Sequence, residues 1–339
     1  MFLGADLSYV NEVEDNGGVF YDAGRPADPF AILHRYGANI VRVRLWHTPT
    51  WTAYSTLDDV QQTMQRAKAL GMAVMLDLHY SDSWADPAQQ VVPAAWAHLD
   101  DPHELAQAVY EYTRDVLCAL SRHDLTPDFV QVGNEINTEM LLPAPPNGAP
   151  INWTRNALLV NAGIRGVRDA GQKTAAAPQV VLHIAQPENI LPWFDAAHEA
   201  GVRDFDVIGM SYYPKWSTYS LAQTGHTISQ ARARYDREMM VVETAYPWTL
   251  QPGAAASHLM GADAILPGYP ATPQGQRDFL LALTAVTQTN GGSGVIYWEP
   301  AWVSTTGHPS VWENATFFDA DNATHDGITF LAHNTRSRA

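Results

Sequence analysis

Eight short apolar runs, each followed by a longer stretch with helical spacing, recur along the chain. The runs are Gly4–Val10, Asn39–Leu45, Ala73–His79, Asp128–Glu135, Val180–Ala185, Asp206–Tyr213, Met239–Glu243 and Gly294–Glu299. The intervening stretches predict helices that include Thr56–Leu70, His103–Arg122, Thr154–Ala170, Asn189–Ala200, Ile228–Arg237 and Gln274–Thr289. Gly37, Gly71, Gly171 and Gly201 stand where four helices are expected to end. With no linker and no sequence repeat, this alternation predicts an α/β fold, a (β/α)8 TIM barrel forming one catalytic domain over residues 1–339. A doubly wound sheet fits less well. Its phosphate-cradling glycines are missing after the first run, where Asp6-Leu7-Ser8-Tyr9 stands instead.

Two of the runs end in glutamate: Phe129-Val130-Gln131-Val132-Gly133-Asn134-Glu135 and Met239-Met240-Val241-Val242-Glu243. A carboxylate at the exit of a buried strand is costly to desolvate, so chains rarely place one there without a use for it. Glycoside hydrolysis needs a proton donor together with a nucleophile or base, which two such groups supply. On the strand count, Glu135 and Glu243 end strands four and seven, on opposite sides of a barrel mouth, where they can face each other across a sugar.

The loops after the strands carry a second signal. Four of them are long, 80–101, 136–153, 244–272 and 300–327, and they hold Trp84, Trp96, Trp153, Trp248, Trp302 and Trp312. In this fold the loops after the strands build the cleft. Aromatic side chains gathered on one face suit an open groove for a polymer whose units present apolar C–H faces. Trp46, Trp51, Trp193 and Trp216 read as core or loop filler.

Charge narrows the substrate class. Twenty basic and 36 acidic residues leave a formal net charge of −16, which disfavours nucleic acid and anionic polymers. No apolar run approaches the ~20 residues of a membrane span. Cys118, the sole cysteine, reads as a small buried hydrophobe. The start of the chain enters the first strand without a leader, which fits either an internal protein or a mature secreted form.

More specific likenesses lie in His79-Tyr80-Ser81-Asp82-Ser83-Trp84-Ala85-Asp86-Pro87, Gly133-Asn134-Glu135-Ile136, Val242-Glu243-Thr244 and Tyr297-Trp298-Glu299-Pro300-Ala301-Trp302. With Gly4-Ala5-Asp6-Leu7-Ser8 and Asn39-Ile40-Val41-Arg42-Val43-Arg44, they resemble glycoside hydrolase family 53, the endo-β-1,4-galactanases, over essentially the whole chain. The resemblance implies an endo-acting, retaining hydrolase of galactan or type I arabinogalactan, with Glu135 as acid/base and Glu243 as nucleophile. It implies that Arg44 and Tyr213 flank the nucleophile, that Asn134 bonds the sugar 2-hydroxyl and that Trp298 lies under the sugar being cleaved. Asp77, His79, Trp84, His183, Trp248, Glu299 and Trp302 are further expected groove residues. Mannan, xylan or β-glucan hydrolysis by the same clan remains an alternative, as does a non-catalytic glycan-binding barrel.

No cofactor and no catalytic metal are expected. Asp77, His79, Asp82 and Asp86 lack the paired-histidine spacing of a catalytic metal site. Asp319-Ala320-Asp321-Asn322 lacks the glycine and closing glutamate of a helix-loop-helix calcium motif. Residues 244–272 offer only Asp263 as a carboxylate for the calcium site that some relatives carry there. The expected partner is a neutral polysaccharide, met by a monomer in an extracellular or periplasmic setting.

Overall fold

The computed structural model describes residues 1–172, 177–255 and 257–333. Eight parallel strands close into a ring: β1 (Phe2–Asp6), β2 (Ile40–Leu45), β3 (Ala73–Leu78), β4 (Phe129–Val132), β5 (Gln179–Ala185), β6 (Val207–Tyr212), β7 (Glu238–Thr244) and β8 (Gly294–Tyr297). Each pairs with its sequence neighbour, and β1 closes the barrel by pairing with both β8 and β2. The (β/α)8 expectation holds. The largest boundary difference is at the first strand, which is Phe2–Asp6 rather than Gly4–Val10, because the chain turns after Asp6 and Val10 opens a short helix, α1 (Val10–Asp15); β4 and β8 also stop short of Glu135 and Glu299, at Val132 and Tyr297.

The helices follow from local chemistry. They are α2 (Pro29–Tyr36), α3 (Leu57–Ala69), α4 (Pro102–Ser121), α5 (Trp153–Gly171), α6 (Pro187–Glu199), α7 (Leu221–Tyr235) and α8 (Pro273–Thr289). Asp28, Asp101 and Thr272 cap three of them just ahead of a first-turn proline, a position where the missing N–H costs nothing. Helix α7 starts seven residues before its expected start at Ile228, because Ser220 and Gln223 form a reciprocal capping box. Gly171 is the last helical residue of α5 rather than a left-handed stop, whereas Gly37, Gly71 and Gly201 do have positive φ. A final 3-10 segment, Asp326–Ala332, tucks under α2, with the Leu331 carbonyl against Gly37.

Two apolar layers hold the barrel. Ile40, Met75, Phe129, Val181, Val207, Met240, Val242 and Ile296 form the cluster inside the ring. A larger cluster fills the space between strands and helices. Packing between β1 and β2 is tight enough to require glycine at position 4, where an added Cβ would lie 1.8 Å from the Ile40 carbonyl oxygen. Gly4→Ala is therefore expected to destabilise the fold by about 3 kcal/mol, the upper range for overpacking a close-packed site. Denaturant unfolding at neutral pH would measure it, and an unchanged midpoint would show that the β1–β2 contact can relax.

The polar end of the barrel differs from its base. Tyr80, Glu135, Gln186 and Glu299, which follow β3, β4, β5 and β8, all have positive φ, between 44° and 65°. Such backbone costs on the order of 1–3 kcal/mol per non-glycine residue and persists where surroundings enforce it, often at functional sites.

Candidate active site

Strand geometry aims both glutamates into one cleft. After β4, Gly133 takes a left-handed turn (φ 83°), and Glu135 follows with φ 44°. On β7 the aim depends on an extra residue. Met210 of β6 pairs with Val241, but Ser211 pairs with Glu243, so Val242 is an insertion in the ladder. Met240 and Val242 belong to the cluster inside the barrel, and strict alternation would turn Glu243 outward. The bulge restores it to the inner face beside Ser211.

The cleft has a volume of about 750 Å³ and is lined by Glu135, Glu243, Asn134, Arg42, Tyr213 and a set of tryptophans. Glu243 is held by two donors. Arg42 Nη2 lies 2.8 Å from its Oε1, and the Tyr213 hydroxyl donates to its Oε2 at 2.9 Å. Burial and Glu243 push the Tyr213 phenol well above its ordinary pKa, so it stays a donor. Glu135 receives one hydrogen bond, from Ser211 Oγ to Oε1 at 2.5 Å. Burial, and next the charge of Glu243, push its carboxyl up to about 8. Burial also raises Glu243, but Arg42 counters that and leaves it at about 7. Glu243 is thus the easier of the two to ionise, and Glu135 the better keeper of a proton.

Arg42 is the hub beneath the cleft. Besides Glu243 it donates to Asp6 (2.7 Å), Asp77 (2.8 Å), Asn134 Oδ1 (2.7 Å) and Gln131 Oε1 (3.2 Å). Burial works against its charge, but Asp77, Glu243 and Asp6 outweigh it and raise its pKa. The arginine beside Glu243 is therefore Arg42, not Arg44. Arg44 also lines the cleft, but it bonds Ser55 and lies 3.5 Å from Glu299, between the rings of Tyr9, Trp46 and Trp84. Both arginines sit on the inner face of β2, one side-chain layer apart.

Four other expected groove residues stand elsewhere. Asp77 is fully buried and gives both oxygens to Arg42, His79 and Gln131. His183 is buried behind Glu135, between Gln131 and Ser211. Glu299 is buried under Arg44, accepts from the Tyr9 backbone, and is raised well above the usual carboxylate range by burial and Asp6. Trp248 packs on His325 and donates to the Glu313 carbonyl, away from the cleft. Each stands at or just past a strand end, but depth in the barrel decides whether it meets solvent.

The remaining expectations converge. Asn134, His79, Trp84, Tyr213, Trp298 and Trp302 all line the cleft. His79 Nδ1 accepts from Ala85 N and its Nε2 faces Asp77, so only its ring is offered to a ligand. Asn134 donates to the Ala85 carbonyl, which leaves one amide N–H for the cleft. Trp298 packs edge-on against Trp312 at 4.7 Å, and Trp302 stacks on Tyr9 at 3.8 Å. Trp216, which read as filler, lines the cleft and is 44% exposed. Trp51, also read as filler, is 61% exposed and pinned by a hydrogen bond to the Asp82 carbonyl. Only their sequence context, next to Tyr213 and after β2, could have marked them.

The metal expectations fall on residues with other partners. Asp263 pairs with Lys215 at 3.2 Å. Asp319 accepts from the backbone of Asp321 and Ala323 in a turn before the last 3-10 segment.

Known proteins resemble this chain in sequence and fold. The profile of Glycosyl hydrolase family 53 matches residues 2–331. An arabinogalactan endo-beta-1,4-galactanase of Cellvibrio japonicus is 53% identical over 337 residues, covering 97% of this chain and 89% of its own length. An Ignisphaera aggregans GH53 catalytic domain superposes with a TM-score of 0.89 at 32% identity, covering 97% of this chain and 95% of that one. A structure described for two fungal beta-1,4-galactanases gives a TM-score of 0.87 at 28% identity, over 98% and 99% of the two chains. By sequence and by fold, the chain belongs to glycosyl hydrolase family 53.

Proposed function

We propose that this protein cleaves internal β-1,4-galactosidic bonds of galactan or type I arabinogalactan, with retention of anomeric configuration. One observation carries the chemistry: two carboxyls from facing strands meet in one cleft, and the surroundings treat them differently. Glu135, half-buried and with a single donor, acts as the general acid and then as the base. Glu243, braced by Arg42 and Tyr213, acts as the nucleophile. Asn134 offers its free N–H to the sugar 2-hydroxyl, and Trp298 forms the platform beneath the sugar being cleaved. The choice of galactan rests on the relatives' names and on the segments Ser81–Pro87 and Glu299–Trp302.

The reaction then runs in two steps. Glu135 protonates the glycosidic oxygen while Glu243 attacks the anomeric carbon, and the bond to the leaving sugar breaks. Water attacks the glycosyl-enzyme next, giving its proton to Glu135 and freeing Glu243. Both proton transfer and nucleophile come from side chains, so the chemistry calls on no cofactor. No helix among the described residues is long and apolar enough to cross a membrane. A polymeric substrate places the working site outside the cytoplasm, in an extracellular or periplasmic setting, and the cleft is complete within one chain. A net charge of −16 suits a neutral polysaccharide rather than nucleic acid.

A reducing-sugar assay against galactan, arabinogalactan, mannan and xylan tests the specificity. Release from the first two alone is expected; release chiefly from mannan or xylan would replace the galactan reading. Proton NMR of the first product tests the stereochemistry, and an initial α-anomer would overturn retention.

A further inference from the structure

Ser211 links the Glu135 carboxyl to a buried histidine. Its Oγ lies 2.5 Å from Glu135 Oε1 and 2.7 Å from His183 Nε2, and both Ser211 and His183 are fully buried. A hydroxyl has one hydrogen to give, so the direction of this chain depends on which nitrogen of His183 bears hydrogen. Two N–H groups face His183 Nδ1: the Glu135 backbone at 3.4 Å, and Gln131 Nε2 at 3.0 Å, whose hydrogens it shares with Asp77 Oδ1 at 2.5 Å and Asn134 Oδ1 at 3.0 Å. Asn134 Oδ1 also lies 3.0 Å from Nδ1, but Arg42 at 2.7 Å and Gln131 Nε2 at 3.0 Å already occupy its two lone pairs. Nδ1 is therefore the acceptor nitrogen. Burial, reinforced by Arg42, lowers the His183 pKa well below its ordinary value, so the ring carries a single hydrogen, on Nε2. That hydrogen points at Ser211, and the Ser211 hydroxyl must in turn donate to Glu135 Oε1.

We propose that Ser211, aligned by His183, is a positioning residue that reserves Glu135 Oε1 as an acceptor and so places the acid proton on Oε2. Oε2 is the oxygen that no other side chain engages among the described residues. The inference rests on the assignment of Glu135 as acid/base. In the first step the Oε2–H bond breaks as the glycosidic oxygen takes the proton, and Ser211 bonds the carboxylate that remains. In the second step water returns a proton to Oε2. Without Ser211 the proton is free to sit on either oxygen, and the charged form loses its donor. Glu243, Asp86, Arg42 and Tyr213 also face Glu135, and none of them replaces that donor.

The test is the pH profile of kcat/KM for Ser211→Ala and Ser211→Thr, on galactan and on an aryl galactobioside with a good leaving group. Loss of the donor is expected to move the basic limb of Ser211→Ala upward by about one pH unit. Its kcat on galactan should fall about tenfold, with a smaller loss on the aryl substrate, which needs little acid help. Ser211→Thr should restore both. An unmoved basic limb with equal losses on the two substrates overturns the proposal. Should Ser211→Ala fail to fold, Ser211→Cys, a weaker donor, must move the limb in the same direction, and an unmoved limb again overturns it. Glu135→Gln separates the two levels of the argument. Its basic limb should vanish; if the limb persists, the acid assignment itself falls, and the role of Ser211 with it.

Discussion

Glu243→Gln is expected to remove glycosyl-enzyme formation and to lower kcat on galactan by on the order of 10⁴-fold or more, the scale seen when one member of a catalytic unit is lost. The amide keeps the shape of the carboxyl and can still accept from Tyr213, so oligosaccharide binding should persist. Intact-protein mass spectrometry with a slow fluorinated substrate would show the labelled intermediate in the wild type and none in the variant. A labelled Glu243→Gln protein would place the nucleophile elsewhere. The same substitution should make the protein more stable at pH 8. Burial holds the Glu243 carboxyl up at about 7, so the folded chain binds that proton more tightly than the unfolded chain. Folding stability is therefore lost as pH rises from the unfolded carboxylate range, ~4.3, through about 7, and glutamine escapes that loss. The gain in melting temperature should fade as pH falls below that window.

Glu135→Ala is expected to cost about 10²–10⁴-fold on the natural polymer, where the leaving sugar needs a proton. An aryl substrate with a good leaving group should still load the enzyme quickly, and the intermediate should then accumulate because no base activates water. Azide needs no base, so it should restore turnover and give a β-galactosyl azide. Turnover of galactan near the wild-type rate would show that Glu135 is not the acid. An α-azide would mean that the two carboxyls had been assigned in the wrong order.

Much of this architecture is legible in the sequence because buried strands announce themselves as apolar runs. Seven of the eight strands lie within a few residues of their expected bounds. The first was set too late, since Leu7 and Tyr9 are as buried as a strand would make them, yet they belong to the turn into α1. The two glutamates were legible because a charge ending an apolar run is rare. Depth was not. Arg42 and Arg44 share a face and differ only in the layer they occupy, which is set by the stagger of strands around the ring. Asp77, His183 and Glu299 failed for the same reason: they end strands but lie below the floor. Ser211 carried no signal of its own, because a serine in a strand is ordinary until its neighbours are known.

The extra residue in β7 governs the direction in which a carboxylate points rather than the face of the sheet on which it stands. Val242 occupies a place that Ile or Leu of similar bulk could fill with modest repacking. Removing it would close the bulge: Glu243 would follow Val241 directly, opposite Ser211, and strict alternation from Met240 would still turn it inward. A single in-frame codon deletion there would therefore keep the facing of the carboxylate and change only the bend of the strand that aims it at Tyr213 and Arg42. Laboratory evolution of this scaffold can use that deletion to ask how much of the geometry of the cleft the bend supplies.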